Sequence, residues 1–213
     1  MSLPIRIIIL CYKRWGNVNA IVKALHKYFP ITVVNNLDGH VYTNPDAEVI
    51  NNDVNMFCME RWLKCYSYPE PFKLILDDDT LISPKTIKNW YKEGHHLTGI
   101  FGYRGVNACK NYHELERCFN KRTEVDFLVG CALMVRQESL NKIKKYLIKS
   151  DYPKRGDDIL VSYLIKKHCN TKLYTQPGEY LSLPEDNVGL NLAKEHFSLR
   201  WQVVEKFKKL GWT

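Results

Sequence analysis

The sequence predicts an α/β fold with a central, mostly parallel sheet flanked by helices. Three observations carry this. Ile5 to Leu10 is a β-branched run, Val18 to Phe29 carries a helical stripe, and Ile31 to Val34 is a second apolar run. Strand, helix and strand within about 30 residues make a βαβ unit, whose strands lie parallel. A further strand, Lys73 to Leu76, ends on three successive carboxylates, Asp77, Asp78 and Asp79, just ahead of a helix start. Open α/β sheets bind their ligands at that end of the strands.

The elements follow in order. Val18, Ile21, Val22, Leu25 and Phe29 recur at helical spacing, and Pro30 ends the helix. The second strand closes on Asn35 and Asn36. Asn55 to Tyr66 is predicted helical, with Phe57, Arg61 and Trp62 among its members. Ser83 followed by Pro84 is an N-cap with proline at the first helical position, so a helix runs from Pro84 to about Tyr91. Leu97 to Gly102 and Val125 to Val135 read as strands. Leu140, Ile143, Leu147 and Ile148 mark one helix, and Ile159, Leu160, Tyr163 and Leu164 another. Lys172 to Thr175 is a short strand, residues 176–190 are a turn-rich loop, and a helix from about Leu192 to Leu210 ends the chain. No repeat or linker divides it, so a single domain is expected over 1–213. Its nucleotide-binding part would be about 1–100 and its acceptor and catalytic part about 101–213.

The 213 residues, 45% of them hydrophobic, suffice for a substantial core. The net charge of +8 is spread along helices, at Lys142, Lys144 and Lys145 and at Lys206, Lys208 and Lys209. Such spacing suits solvated helix faces, and the overall field attracts anionic ligands. Basic runs interleaved with aromatics are lacking, which argues against a nucleic-acid groove. Cys11, Cys58, Cys65, Cys109, Cys118, Cys131 and Cys169 are seven cysteines with no C-x-x-C. That pattern disfavours zinc and points to a reducing compartment. The start of the chain does not resemble a signal peptide, and no run of about 20 apolar residues spans a membrane. A cytoplasmic protein, or a domain of a longer chain, is expected.

The acidic cluster raises the chemical question. Adjacent carboxylates repel, and partial burial adds to the cost of ionising them. A turn that merely caps the next helix explains them poorly, because Ser83 already takes the cap. A hard divalent cation, Mn²⁺ or Mg²⁺, would remove the penalty while using only one or two carboxylates. If the strand persists, Asp77 and Asp79 point one way and Asp78 the other. A second acidic pair, Asp157 and Asp158, follows Gly156 at a helix start. One aspartate suffices for capping, which leaves the other free for chemistry.

The segment Leu76 to Ser83 resembles the D-x-D region of nucleotide-sugar glycosyltransferases with the GT-A fold, in particular the exostosin family. Four more segments resemble that family in order: Cys11-Tyr12-Lys13-Arg14, Val33-Val34-Asn35-Asn36, Asp157-Asp158-Ile159, and Glu195-His196 with Arg200. A narrower likeness, to a viral glycosyltransferase domain, implies further domains and the host cytoplasm. The resemblance implies a UDP-sugar donor, a glycan or glycoprotein acceptor, and transfer of a hexose or deoxyhexose with retention of configuration. By position, Tyr12, Arg14 and Asn36 would hold uridine and diphosphate, with Asn51, Asn55 and Arg61 nearby. Asp79 and Asp77 would bind Mn²⁺ or Mg²⁺, and the cluster with Asp78 would also reach the ribose. Asp157 or Asp158 would face the sugar or the acceptor hydroxyl, and Arg200, helped by His196, would meet the diphosphate. The chain departs from the family in its missing membrane anchor and its shortness between residues 103 and 125. Two alternatives are a haloacid-dehalogenase-type phosphatase, for which Leu81 stands where Thr or Val is usual, and a non-catalytic nucleotide-sugar binding module.

Overall fold

A computed structural model of the chain describes residues 3–36, 39–97, 99–107, 121–149, 155–184, 189 and 192–211. Cys109, Cys118 and most of the 103–125 stretch lie outside the described residues. Strand β1 (Ile5–Cys11) pairs in parallel with β2 (Ile31–Asn35) on one side and with β4 (Phe72–Asp77) on the other. Beyond β2 lies β3 (Glu48–Asn51), also parallel. Past β4 the pairing turns antiparallel, to β8 (Phe127–Arg136), which pairs antiparallel with β6 (Ile100–Val106). Strands β9 (Leu173–Thr175) and β7 (Thr123–Val125) complete an eight-stranded sheet of order β3-β2-β1-β4-β8-β6-β9-β7. The parallel half therefore comes from the N-terminal part of the chain, as the βαβ pattern predicts.

Side-chain alternation along β1 decides what covers each face. Ile5, Ile7, Ile9 and Cys11 pack with Val18, Ile21, Val22 and Leu25 of α1 (Trp15–Leu25) and with Ile87 and Trp90 of α3 (Pro84–Gly94). Ile8 points the other way, into a core with Met59 and Trp62 of α2 (Met59–Lys64). On that face lie α4 (Gln137–Lys149), α5 (Asp157–Cys169) and α6 (His196–Lys209), which contribute Leu140, Ile159, Val204 and Phe207. Among the described residues no helix is long and apolar enough to cross a membrane.

The elements depart from the sequence expectations at several places. Helix α1 stops at Leu25, and Phe29 is buried in the turn that follows, because the chain must reverse before Pro30 to lay β2 beside β1. The helix expected over Asn55 to Tyr66 shrinks to α2 and a 3₁₀ turn, Cys65–Ser67. The acidic turn does not lead straight into α3. Strand β5 (Thr80–Ile82) intervenes and pairs antiparallel with β10 (Tyr180–Ser182), inside the stretch expected to be loop. The Val125 to Val135 strand divides into β7 and β8 around Asp126.

The Ser83 cap forms as expected. Its hydroxyl accepts the Thr86 N–H at 3.1 Å, with Pro84 opening α3. Ser83→Ala should remove about 1 kcal/mol of stability. For a domain of this size that is a fall in Tm of about 2–4 °C in a calorimetric melt. An unchanged Tm would mean that the proline alone starts the helix.

Candidate active site

The chain leaves β1 toward β2 and β3 on one side and toward β4, β8 and β6 on the other. The β1/β4 boundary is thus a topological switch point, where the loops after the two strands diverge and leave a crevice. A cavity of about 520 Å³ opens there. The loop after β1 supplies Tyr12 and Arg14, and the turn after β4 supplies Asp77 to Asp79.

These two loops are tied together. The Tyr12 backbone N–H donates to Asp78 Oδ2 at 2.8 Å. Arg14 Nη1 reaches Asp78 Oδ1 at 2.7 Å and Asp79 Oδ2 at 2.8 Å. Because β4 ends at Asp77, strict alternation lapses, and Arg14 grips Asp78 and Asp79 together. Asp77 turns instead to Arg61 of α2, which donates to its Oδ1. Burial pushes the Asp77 carboxyl up to about 7, with Asp79 and Asp78 adding to it and Arg61 opposing. Burial likewise raises Asp78 to about 6 against the Tyr12 N–H and Arg14.

Arg61 is the pivot of a longer chain of charges. Its Nε and Nη2 meet Asp157 Oδ2 at 3.1 and 2.9 Å, and Nη1 donates to the Gly130 carbonyl at 3.2 Å. Trp62 Nε1 donates to the same Asp157 oxygen at 2.6 Å. Asp158 Oδ2 accepts the Gly130 N–H at 2.8 Å and Arg200 Nη2 at 2.7 Å, while its Oδ1 accepts the Ile159 N–H at 2.9 Å. Burial favours a neutral Asp158, but the charge and hydrogen bond of Arg200, with Arg61 and the Gly130 N–H, hold it below the usual carboxylate range. A Cβ at position 130 would stand 2.5 Å from Arg61 Nη2, so any side chain there would push the guanidinium from its place against Asp157. Gly156, at φ +87°, makes the left-handed turn that enters α5.

Of the residues assigned from sequence, Tyr12, Arg14, Asn36, Asn55, Arg61, Asp77, Asp78, Asp79, Asp157, Asp158, His196 and Arg200 all line the cavity. Asn51 is not among its lining residues. It pairs with Asn35 and Tyr42 and braces the β2–β3 edge. Asn36 holds the segment before α2, accepting from Asn52 Nδ2 and the Met56 N–H and donating to Asn55 Oδ1 and the Phe57 carbonyl. Two of these lining residues also make buried ion pairs. Arg61 is bonded to Asp77 and Asp157 and braces the site. Arg200 is buried and paired with Asp158. Neither Asp157 nor Asp158 is the spare carboxylate expected after a single cap, because arginines bind both.

Further lining residues escaped the sequence reading. Phe57, at φ +55°, lines the cavity between Asn55 and Cys58. Arg104 Nη2 donates to the Tyr180 hydroxyl at 2.9 Å, and Tyr180 stacks on Tyr103 with ring centroids 4.4 Å apart. A glycine inside an apolar run marks a close backbone approach, so Gly130 was the one residue of this group with a readable signal. Cys131 also lines the cavity, but burial pushes its thiol up to about 12, which leaves it a poor nucleophile.

The donor set fits a divalent cation in one specific way. Asp77 and Asp79 present hard oxygen donors to the same cavity, with side chains 36% and 23% exposed. The like-charge contribution to the raised Asp77 carboxyl is one that a cation would relieve. Among the described residues no cluster of three or more His, Cys, Asp or Glu could enclose a metal. The set therefore suits an ion that completes its shell with water and ligand phosphates.

No protein-family model and no curated protein matches the chain. Among solved structures, S. aureus TarS 1–349 superposes with TM-score 0.55 at 15% identity, over 86% of this chain and 60% of that one. The longer S. aureus TarS structure gives 0.59 at 15% identity, over 98% of this chain and 43% of that one. TarS 1–349 in complex with UDP-GlcNAc gives 0.59 at 14%, over 97% and 66%. This chain thus spans roughly half to two thirds of the TarS chains it matches. The fold is of the GT-A type, not the haloacid-dehalogenase one. These matches extend neither to the exostosin family nor to a viral origin.

Arg200→Ala would strand the Asp158 charge in the interior and should cost about 3–5 kcal/mol at neutral pH. The pH dependence has a defined sign. Asp158 is held below its unfolded value, so the stability it contributes is complete above the ordinary carboxylate pKa and is lost as pH falls through the folded one. The gap between wild type and Arg200→Ala should therefore narrow from pH 7 to pH 3 in denaturant titrations. A gap that is constant with pH would mean that Arg200 stabilises through packing alone.

Proposed function

We propose that this protein is a glycosyltransferase that moves a hexose or deoxyhexose from a UDP-sugar to a glycan or glycoprotein acceptor. The observation that carries this reading is the Asp77 to Asp79 turn beside Arg14 at the switch point of a GT-A sheet. The match to a TarS structure holding UDP-GlcNAc supports the choice of donor class.

The site's chemistry agrees with transfer. A leaving nucleoside diphosphate gains negative charge as its bond to the sugar breaks, and fixed cations stabilise that charge more in the transition state than in the ground state. Arg14 lies beside the acidic turn and adds a guanidinium suited to phosphate oxygens. A divalent cation on Asp79 and Asp77, Mn²⁺ or Mg²⁺, would supply Lewis-acid stabilisation of the same group. Asn36 and Asn55, locked to each other, form the β2–β3 side of the cavity and suit the nucleoside. Asp157 and Asp158 stand across Arg61 from the turn, on the side where the sugar and the acceptor hydroxyl would lie. Arg200 holds Asp158 ionised, as the orientation of a hydroxyl or the stabilisation of an oxocarbenium-like centre requires. The retaining course follows from the resemblance alone, and proton NMR of the anomeric signal in the product reads it directly.

Asp79→Ala should lower turnover by at least about 100-fold while the protein stays folded. The measurement is UDP release by mass spectrometry from a panel of UDP-sugars that includes UDP-GlcNAc, with Mn²⁺ present. Full activity in EDTA would sink the metal assignment. Calorimetry with UDP, GDP, CDP and ADP should favour UDP, and equal binding of all four would overturn the uridine assignment.

A further inference from the structure

The cavity wall made by the residue before Gly156 and by the first turn of α6 carries Arg155, His196 and Arg200. Arg200 is committed to Asp158. Arg155 is held differently from Arg14, Arg61 and Arg200. Its Nη2 meets Glu195 Oε1 at 3.1 Å, but the Glu195 side chain is 57% exposed. An ion pair with so wet a partner holds a guanidinium weakly. Its Nη1 is buried and has no hydrogen-bond partner among the described residues. Buried N–H donors of a charged group are seldom left unmet, and because Arg155 belongs to the cavity wall a bound ligand can bring the missing acceptor.

Charge matching sharpens this. Arg14 contacts Asp78 and Asp79, Arg61 bridges Asp77 and Asp157, and Arg200 holds Asp158. Each of the five cavity aspartates thus already meets a guanidinium, and none of them meets Arg155. The geometry points to Arg155 as the seat of an anion-binding subsite, receiving a phosphate or carboxylate oxygen at Nη1. Two sources share that chemistry: the donor diphosphate and an acidic group on the acceptor. Naming these sources rests on the proposed transfer reaction, whereas the subsite itself rests on the unmet Nη1 of Arg155.

The test compares wild type with Arg155→Ala, Arg155→Lys and Glu195→Gln. Calorimetry gives affinities for UDP and for uridine, and for inorganic phosphate in the free and the UDP-saturated protein. Arg155→Ala should weaken anion binding by about 10- to 100-fold, the loss of one charge-assisted contact. Arg155→Lys should recover part of it, and Glu195→Gln should keep it. A loss for UDP but not for uridine assigns the subsite to the diphosphate. Unchanged UDP binding, with phosphate no longer bound by the UDP-saturated mutant, assigns it to the acceptor. Wild-type affinities in Arg155→Ala would overturn the proposal. So would an equal loss in Glu195→Gln, since the ion pair would then be the only role. A wild-type protein that binds phosphate but not UDP would leave the subsite standing and remove the proposed function, and one that binds neither would remove both.

Discussion

The guanidinium of Arg61 is the constraint on which the rest of the site depends. It touches the end of β4 through Asp77, the start of α5 through Asp157 and the middle of β8 through Gly130. Without it Asp77 and Asp157 would lose the cation that they share. With it, Asp157 stays bonded three ways, and the acidic turn is held at a fixed distance from the helix that carries the second acidic pair. Buried ion pairs seldom add net stability over an apolar core. Pairing three arginines with five aspartates at a cavity that two more arginines line therefore makes sense as positioning of charge for a ligand.

Part of this arrangement is legible in the sequence and part is hidden by it. Periodicity exposed β1, α1, β2, β4 and α5, because burial on a sheet face or a helix stripe writes itself into residue spacing. The acidic turn and the Asp157-Asp158 pair were legible because clustered like charges near a strand end or a helix start need a cause. Their partners were not. A sequence shows no contact between residues as far apart as Arg61 and Asp157, so the sequence reading gave the compensation of the three aspartates to a cation. The structure supplies part of it from Arg14 and Arg61, and the cation remains a donor-set argument. Strands β3, β5 and β10 were missed for a related reason. Each is only three or four residues long, so its pairing partner defines it more than its own composition does.

The short β5–β10 ribbon has a consequence for the active site out of proportion to its length. It ties the chain just after Asp79 to Tyr180 and Ser182, which line the cavity. Leu183 N–H donates to the Asp79 carbonyl at 2.8 Å, and Asn17 Nδ2 of α1 donates to the Pro184 carbonyl at 2.7 Å. The acidic turn is thus clamped from the β1 loop on one side and from the 176–184 segment on the other. A turn so held pays the entropy of ordering its carboxylates during folding and not when a ligand arrives, which is the sense of preorganisation.

Backbone strain falls where this logic requires it. Among the described residues the non-glycine positive-φ positions are Lys13, Phe57 and Asn170. Asn170 ends α5, where asparagine in this conformation is an ordinary helix stop. The other two flank the cavity, and neither residue type favours that region; for a bulky phenylalanine it is a true outlier. Each is held by bonds on both sides. Tyr12 N–H and Arg14, either side of Lys13, are both fixed to Asp78. The Phe57 N–H and carbonyl are fixed to Asn55 and Asn36. Strain of this kind costs of the order of 1–3 kcal/mol per residue and persists only when neighbours over-determine it. Asn36 does so here at four points, from the end of a strand whose own position is set by β1. The apolar run that the sequence shows most plainly thus fixes, through one asparagine, the part of the cavity that the sequence shows least.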